Sequence, residues 1–164
     1  GSLKMAIRNI LTKGDEMLNK KCRPVTQFDE RLHLLLDDMR DTLLNSNGVG
    51  LAAPQIGILR RVVLVLDIKK EPEEVVELIN PEVIAVNELE PTVEGCLSVP
   101  NVYGYVMRPT WAKIRAQDRY GNWFEREGEE IVAQCFCHET EHLDGHLFTE
   151  KVTEYVDVEQ LEEE

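Results

Sequence analysis

The chain has 164 residues, 43% of them hydrophobic, and no run of eighteen apolar positions, so it reads as one soluble domain (1–164) without a transmembrane helix. A formal net charge of −13 excludes a broad nucleic-acid footprint, which needs clustered Lys and Arg, and the acidic stretches EPEEVVE (from Glu71) and VEQLEEE at the C-terminus would be repelled by an anionic membrane. A small or neutral substrate fits better. Residues 1–4, before Met5, read as an expression scar. The MAIRNILTKGDEML that follows lacks a signal peptide's apolar core and cleavage site, so the expected location is cytoplasmic. In that reducing setting Cys22, Cys96, Cys135 and Cys137 are core thiols or ligands rather than disulfides.

No repeat or low-complexity linker divides the chain. In TQFDERLHLLLDDMRDTLLNSN, Thr26 and Asp29 have capping-box spacing, and Leu32, Leu35, Leu36, Met39 and Leu43 share one helical face. This predicts an amphipathic helix ending near Asn45–Asn47. GVGLAAPQIG, from Gly48, then reads as a loop whose glycines and Pro54 permit close backbone approach and resist regular structure. RRVVLVLDI is a buried-strand run. VVELINPEVIAVN reads as two strands with a bend at Asn80-Pro81, and WAKIRAQDRYGNWFEREG as a hairpin turning near Tyr120-Gly121-Asn122. From Glu129, EEIVAQCFCHETEHLD has acidic residues in its first turn, no interior Pro or Gly, and Gly145 just past its end, the pattern of a helix with a glycine stop. Strands gathered between two helices predict an α+β fold with mixed or antiparallel sheets packed around a C-terminal helix, and an acidic tail over 155–164.

On that helix His138 and His142 are about 40° apart around the axis and one turn apart along it, so two imidazoles face the same way and can share a divalent ion. Glu139, about 100° round from His138, can lean over the open coordination position and move a proton from water. The third ligand decides the class. The position where a metzincin places its third histidine is Phe148, and His146 lies on the wrong arc. A thermolysin-like glutamate could come only from Glu162–Glu164, which has nothing after it to hold it. Cys135 shares the stripe but lies about 10 Å of rise from His142, and Cys137 points elsewhere. Both read as helix packing. Cys96, in EGCLSVP, remains. A thiolate from a distant segment plus two imidazoles leaves a fourth position open, which is a catalytic arrangement.

Together GVGLAAPQIG, EGCLSVP and HETEHLDG resemble the peptide deformylases in order and approximate spacing, over most of residues 8–150. The resemblance implies a hydrolase that removes the formyl group from the N-terminal formylmethionine of new polypeptides, with metal-bound hydroxide attacking the formyl carbon. It implies Cys96, His138 and His142 as ligands of one divalent metal, Fe2+ in the cell, with Zn2+ or Ni2+ acceptable on purification. It implies Glu139 as general base and acid, and Gln55 with the backbone N–H of Leu97 as stabilisers of the formyl oxygen. The glycines of the loop would let a peptide lie along it as an added strand, bonded at Val49 and Gly95 beside Gly50. Val49, Cys135 and His138 would border the methionine pocket. The implied partners are N-formylmethionyl peptides and nascent chains, with ribosome contact left open. Two departures stand out: Cys137 where glutamine is common, and Glu141 where aspartate is common. A zinc endopeptidase and a non-catalytic metal-binding domain are the rival readings.

Overall fold

The computed structural model describes residues 6–157 and 159; the expected scar and the residues from 160 onward lie outside the described residues. The chain forms helices α1 (Glu30–Leu44) and α2 (Ile131–His142) and strands β1 (Gly50–Ala52), β2 (Val62–Asp67), β3 (Glu74–Val86), β4 (Leu89–Cys96), β5 (Val99–Pro109), β6 (Trp111–Gln117), β7 (Trp123–Glu129) and β8 (Glu154–Val156). The strands make two sheets, β1-β2-β3-β6-β7 and β4-β5-β8, and every pairing is antiparallel. The expected α+β class with its antiparallel sheets is the fold observed.

Helix α1 starts one turn later than the capping-box spacing implies. Asp29, not Thr26, is the N-cap, its carboxylate accepting the Leu32 N–H at 3.2 Å and satisfying one of the first turn's orphan donors. The expected stripe Leu32, Leu35, Leu36, Met39 and Leu43 is buried and packs on Leu51, Val62, Leu64 and Ile79. Each such side chain contributes about 1.5–3 kcal/mol by leaving water. The opposite face of the same sheet, including Val63, Val65, Leu78, Ala112 and Ile114, packs on Val132, Ala133 and Phe136 of α2. Strand β2 is therefore covered on both faces, which is why its run of apolar residues does not alternate.

The expected GVGLAAPQIG loop contains a three-residue strand, Gly50–Ala52, and a 3-10 turn, Ala53–Ile56. The turn opens with Pro54 near its start and closes on Gly57 at φ +82°, each residue where its backbone is best tolerated. The expected pair of strands around Asn80-Pro81 is a single strand, β3, with a register shift between Ile79 and Glu82 that absorbs the proline. Asn80 sits there at φ +52°. Its side-chain amide accepts the Val25 N–H (2.8 Å) and donates to the Val25 carbonyl (2.9 Å), standing in for a backbone peptide.

Helix α2 begins after Glu130, so Glu129 ends β7 and the acidic pair precedes the first turn instead of occupying it. Its far end matches the glycine stop: Gly145, at φ +82°, donates to the His142 carbonyl and His146 N–H to the Glu141 carbonyl, both at 3.1 Å, the paired bonds of a Schellman motif. A Cβ on Gly145 would lie 2.6 Å from the Asn19 carbonyl, so tertiary packing also requires glycine. The second sheet was largely invisible in the sequence. The hairpin β4–β5 turns at Leu97–Ser98, with Cys96 opposite Val99, and β8 adds residues 154–156, which include the first two positions of the expected acidic tail, to β5.

Candidate metal centre

The β4–β5 turn brings Cys96 to α2. Cys96 Sγ lies 3.4 Å from His142 Nε2, the two imidazole centroids are 5.0 Å apart, and the donor atoms of Cys96, His138 and His142 all fall within 4.8 Å of one another. A single ion with bonds of about 2.0–2.3 Å can span such a set, and a thiolate with two imidazoles is chemistry suited to iron, nickel or zinc. The residues fit one divalent ion.

The surroundings orient the ligands. His138 Nδ1 is hydrogen-bonded to Glu94 Oε2 at 2.8 Å, which fixes the tautomer that leaves Nε2 free. Glu94 is held in turn by Arg108, through Nε (2.8 Å) and Nη2 (2.7 Å). Arg108 also spans Glu141 through Nη1 (2.7 Å) and Nη2 (2.9 Å), and Lys151 binds Glu141 at 2.7 Å. Burial alone would raise the Glu94 pKa, but Arg108 and His138 outweigh it and bring it down to about 2. Burial likewise disfavours the His138 imidazolium, yet Glu139, Cys96 and Glu94 pull its pKa well up. His142, buried and next to His138, is pushed well down and stays neutral.

Glu139 is 4% exposed, and its carboxylate oxygens lie 4.0 Å from Nε2 of His138 and of His142. Oε1 has no hydrogen-bond partner among the described residues. Burial raises its pKa to about 7, against the pull of His138. Gln55 is fixed at both ends: Oε1 accepts the Ala52 N–H (2.9 Å) and Nε2 donates to Ser98 Oγ (3.1 Å), with Cys96 Sγ 3.7 Å away.

A cavity of about 450 Å³ joins these groups, lined by Val49, Gly50, Gln55, Glu94, Gly95, Cys96, Leu97, Cys135, His138 and Glu139 among others. It thus gathers the sequence-predicted residues except His142, which is buried behind the cluster at 0% exposure. Gly50 is needed for contact: a Cβ there would lie 2.3 Å from Cys135 Sγ and 2.5 Å from Glu139 Oε2. The Val49 carbonyl already accepts the Leu66 N–H at 2.7 Å. Cys135 is a packed thiol whose pKa burial and Glu139 raise well up. Cys137 lies beside Arg108 and is pushed up to about 11, first by burial. His146 is on the surface, paired with Glu150. Sequence reasoning missed Glu94, Arg108, Ser98 and Gln134. Glu94 was accessible, since residues two apart on a strand share a face and Cys96 was already named.

A helix-borne pair of histidines, joined by a thiolate from a hairpin turn beside a buried carboxylate, defines a metal-dependent hydrolase. The comparison with known proteins narrows this. The profile of the polypeptide deformylases matches residues 7–157, and the chain belongs to that family. It is 52% identical over 159 residues to a peptide deformylase of Caldicellulosiruptor bescii, covering 97% of this chain and 93% of that one. It is 49% identical over 148 residues to that of Agathobacter rectalis, covering 90% and 91%. A crystal structure of a peptide deformylase from Legionella pneumophila superposes with a TM-score of 0.85 at 41% identity, covering 90% of this chain and 86% of that one.

Proposed function

We propose the following division of labour for deformylation, the removal of N-formyl groups from nascent polypeptides. Cys96, His138 and His142 would hold one divalent ion, iron in the cell, which when bound supplies a Lewis acid and acidifies water. Glu139 takes a proton from the attacking water and delivers it to the departing amine, since one carboxylate facing both can do each in turn. Its burial keeps its pKa near neutrality, where it can both accept and give up that proton. The Gln55 amide and the Leu97 N–H donate to the formyl oxygen as it gains charge. Gln55 is suited to this because Ala52 and Ser98 hold its amide in place before substrate arrives. Val49 and Gly95 bond the peptide backbone, and Cys135 with Val49 borders the methionine side chain.

The observation that carries this reading is the buried Glu139 carboxylate, with Oε2 4.0 Å from His138 Nε2 and Oε1 4.0 Å from His142 Nε2 and without a hydrogen-bond partner among the described residues. An unsatisfied buried carboxylate oxygen is costly, and proton transfer is a use that justifies the cost. The test is formate release from formyl-Met-Ala-Ser, beside its acetylated and internal-peptide analogues. Wild type cleaves only the first. Glu139→Gln retains metal and loses kcat by several orders of magnitude, and Gln55→Ala loses on the order of 10²-fold. Substantial turnover by metal-replete Glu139→Gln would overturn the assignment.

A further inference from the structure

The cavity does not end at the centre; it opens onto a bare sheet face. Gly95, Val93 and Tyr103 line it, and the Tyr103 ring covers Gly95 closely enough that a Cβ there would lie 2.6 Å from it. Side chains two residues apart share a sheet face, as do directly paired residues. Strand β4 therefore presents Val93, Pro91 and Leu89 on the side of Tyr103, and β5 presents Tyr105 and Met107 opposite Val93 and Pro91, while Pro109, opposite Leu89, is buried. Leu89 is 48% exposed, Met107 44% and Tyr105 37%. The alternate residues Gly104, Val106 and Arg108 face inward and are buried. The result is an apolar ladder that starts at the cavity mouth and runs about 20 Å along β4.

We infer that this outer face of β4–β5 is a docking track for the substrate's own chain beyond the residues held in the cavity, with a preference for apolar side chains. The inference rests on the proposed reading of the cavity as the formyl-peptide site. The peptide is the occupant favoured because the face is continuous with that site: a chain leaving over Gly95 and Tyr103 meets Tyr105 and Met107 next. Contiguous exposed apolar surface on a sheet marks an interaction site, and new polypeptides present apolar segments before they fold. The protein's strong negative charge gives no comparable argument for a nucleic acid.

The test compares formyl-Met-Ala-Ser with the same peptide extended by six residues of alternating Leu-Ser or of Gly-Ser. Substrates are uncharged in the added part, so the acidity of the protein does not enter. The enzymes are wild type and Leu89→Ser/Met107→Ser, both substitutions at exposed positions, with folding checked by circular dichroism. Covering two or three exposed apolar side chains, less the cost of ordering the peptide, sets the gain on the order of tenfold. Wild type should process the Leu-Ser peptide with kcat/KM raised by that factor, through KM, and the Gly-Ser peptide no better than the tripeptide. The variant should lose the gain and keep tripeptide turnover. Equal kcat/KM for all three peptides on wild type, or a gain that survives in the variant, overturns the inference while leaving the deformylase reading intact. A variant that turns a wild-type dimer into a monomer by sedimentation also overturns it, by assigning the face to a second copy of this chain. Failure of wild type on the tripeptide itself would overturn both.

Discussion

Arg108→Met tests whether the site's buried charge network is built as described. Arg108 is 2% exposed and Glu94 4%, and the guanidinium makes two bonds to each of Glu94 and Glu141. Glu141 keeps Lys151 after the change. Glu94 keeps only His138 and the Gln134 amide, at 2.8 and 3.1 Å. The loss therefore concentrates on one buried carboxylate, and breaking such a pair from one side costs about 3–5 kcal/mol. Neutralising the orphan with a second change, Glu94→Gln, should recover part of it, giving a coupling of about 2 kcal/mol or more. The assay is urea unfolding of wild type, both single variants and the double variant at pH 7 with the same excess of zinc, so that metal stabilisation is common to all. If Arg108→Met costs less than about 1 kcal/mol, or the two changes simply add, the network does not hold Glu94 as argued.

Cys96→Ala should lose bound metal by elemental analysis, while Cys135→Ala and Cys137→Ala keep it; equal occupancy in all would remove Cys96 from the ligand set. Gly50→Ala should lower kcat on formyl-Met-Ala-Ser by tenfold or so with the fold retained, because the new methyl displaces Glu139 and Cys135; a wild-type kcat would show that the contact yields freely. Burial raises the Cys22 pKa to about 11 from an ordinary 9.0, so folding favours the neutral thiol. Its contribution is complete below pH 9 and is lost as pH climbs toward 11. Wild type should lose stability across that window more steeply than Cys22→Ala, and parallel unfolding curves would contradict this.

What could be read in advance was local. The α1 stripe, the β2 run, the β6–β7 turn and the α2 histidines each announce themselves within a few residues, through period, turn chemistry or spacing. The second sheet does not, because Pro91, Gly95, Pro100, Gly104 and Pro109 interrupt the strand signal of β4 and β5. Arg108 illustrates the remaining gap. It reaches Glu94, fourteen residues away, only because the hairpin puts both on its inward face, Arg108 opposite Glu90 and Glu94 opposite Gly104, with the long guanidinium side chain covering the offset, and nothing near Met107-Arg108-Pro109 points to α2. Asn80 is similar: its bonds go to Val25, fifty-five residues back, and a lone Asn before Pro reads as a bend.

Two of the strands that border the cavity are outermost in their sheets, β1 in one and β4 in the other. A free strand edge is what a substrate peptide needs and also what misassembly exploits. Here the β1 edge is trimmed to a short window. β1 is three residues long, and on the longer β4 the Val93 carbonyl accepts from Gln134 at 3.2 Å, which takes one backbone acceptor out of play. On the proposed reading of the site, a single peptide would slip between Gly50 and Gly95 and join two sheets that share no strand into one ladder. Another protein's sheet finds too little open backbone along β1 to begin pairing. The same shortness that makes the first half of the GVGLAAPQIG segment look like a loop thus lets an enzyme whose substrates are unfolded chains keep the β1 edge open while offering a neighbouring sheet little to pair with.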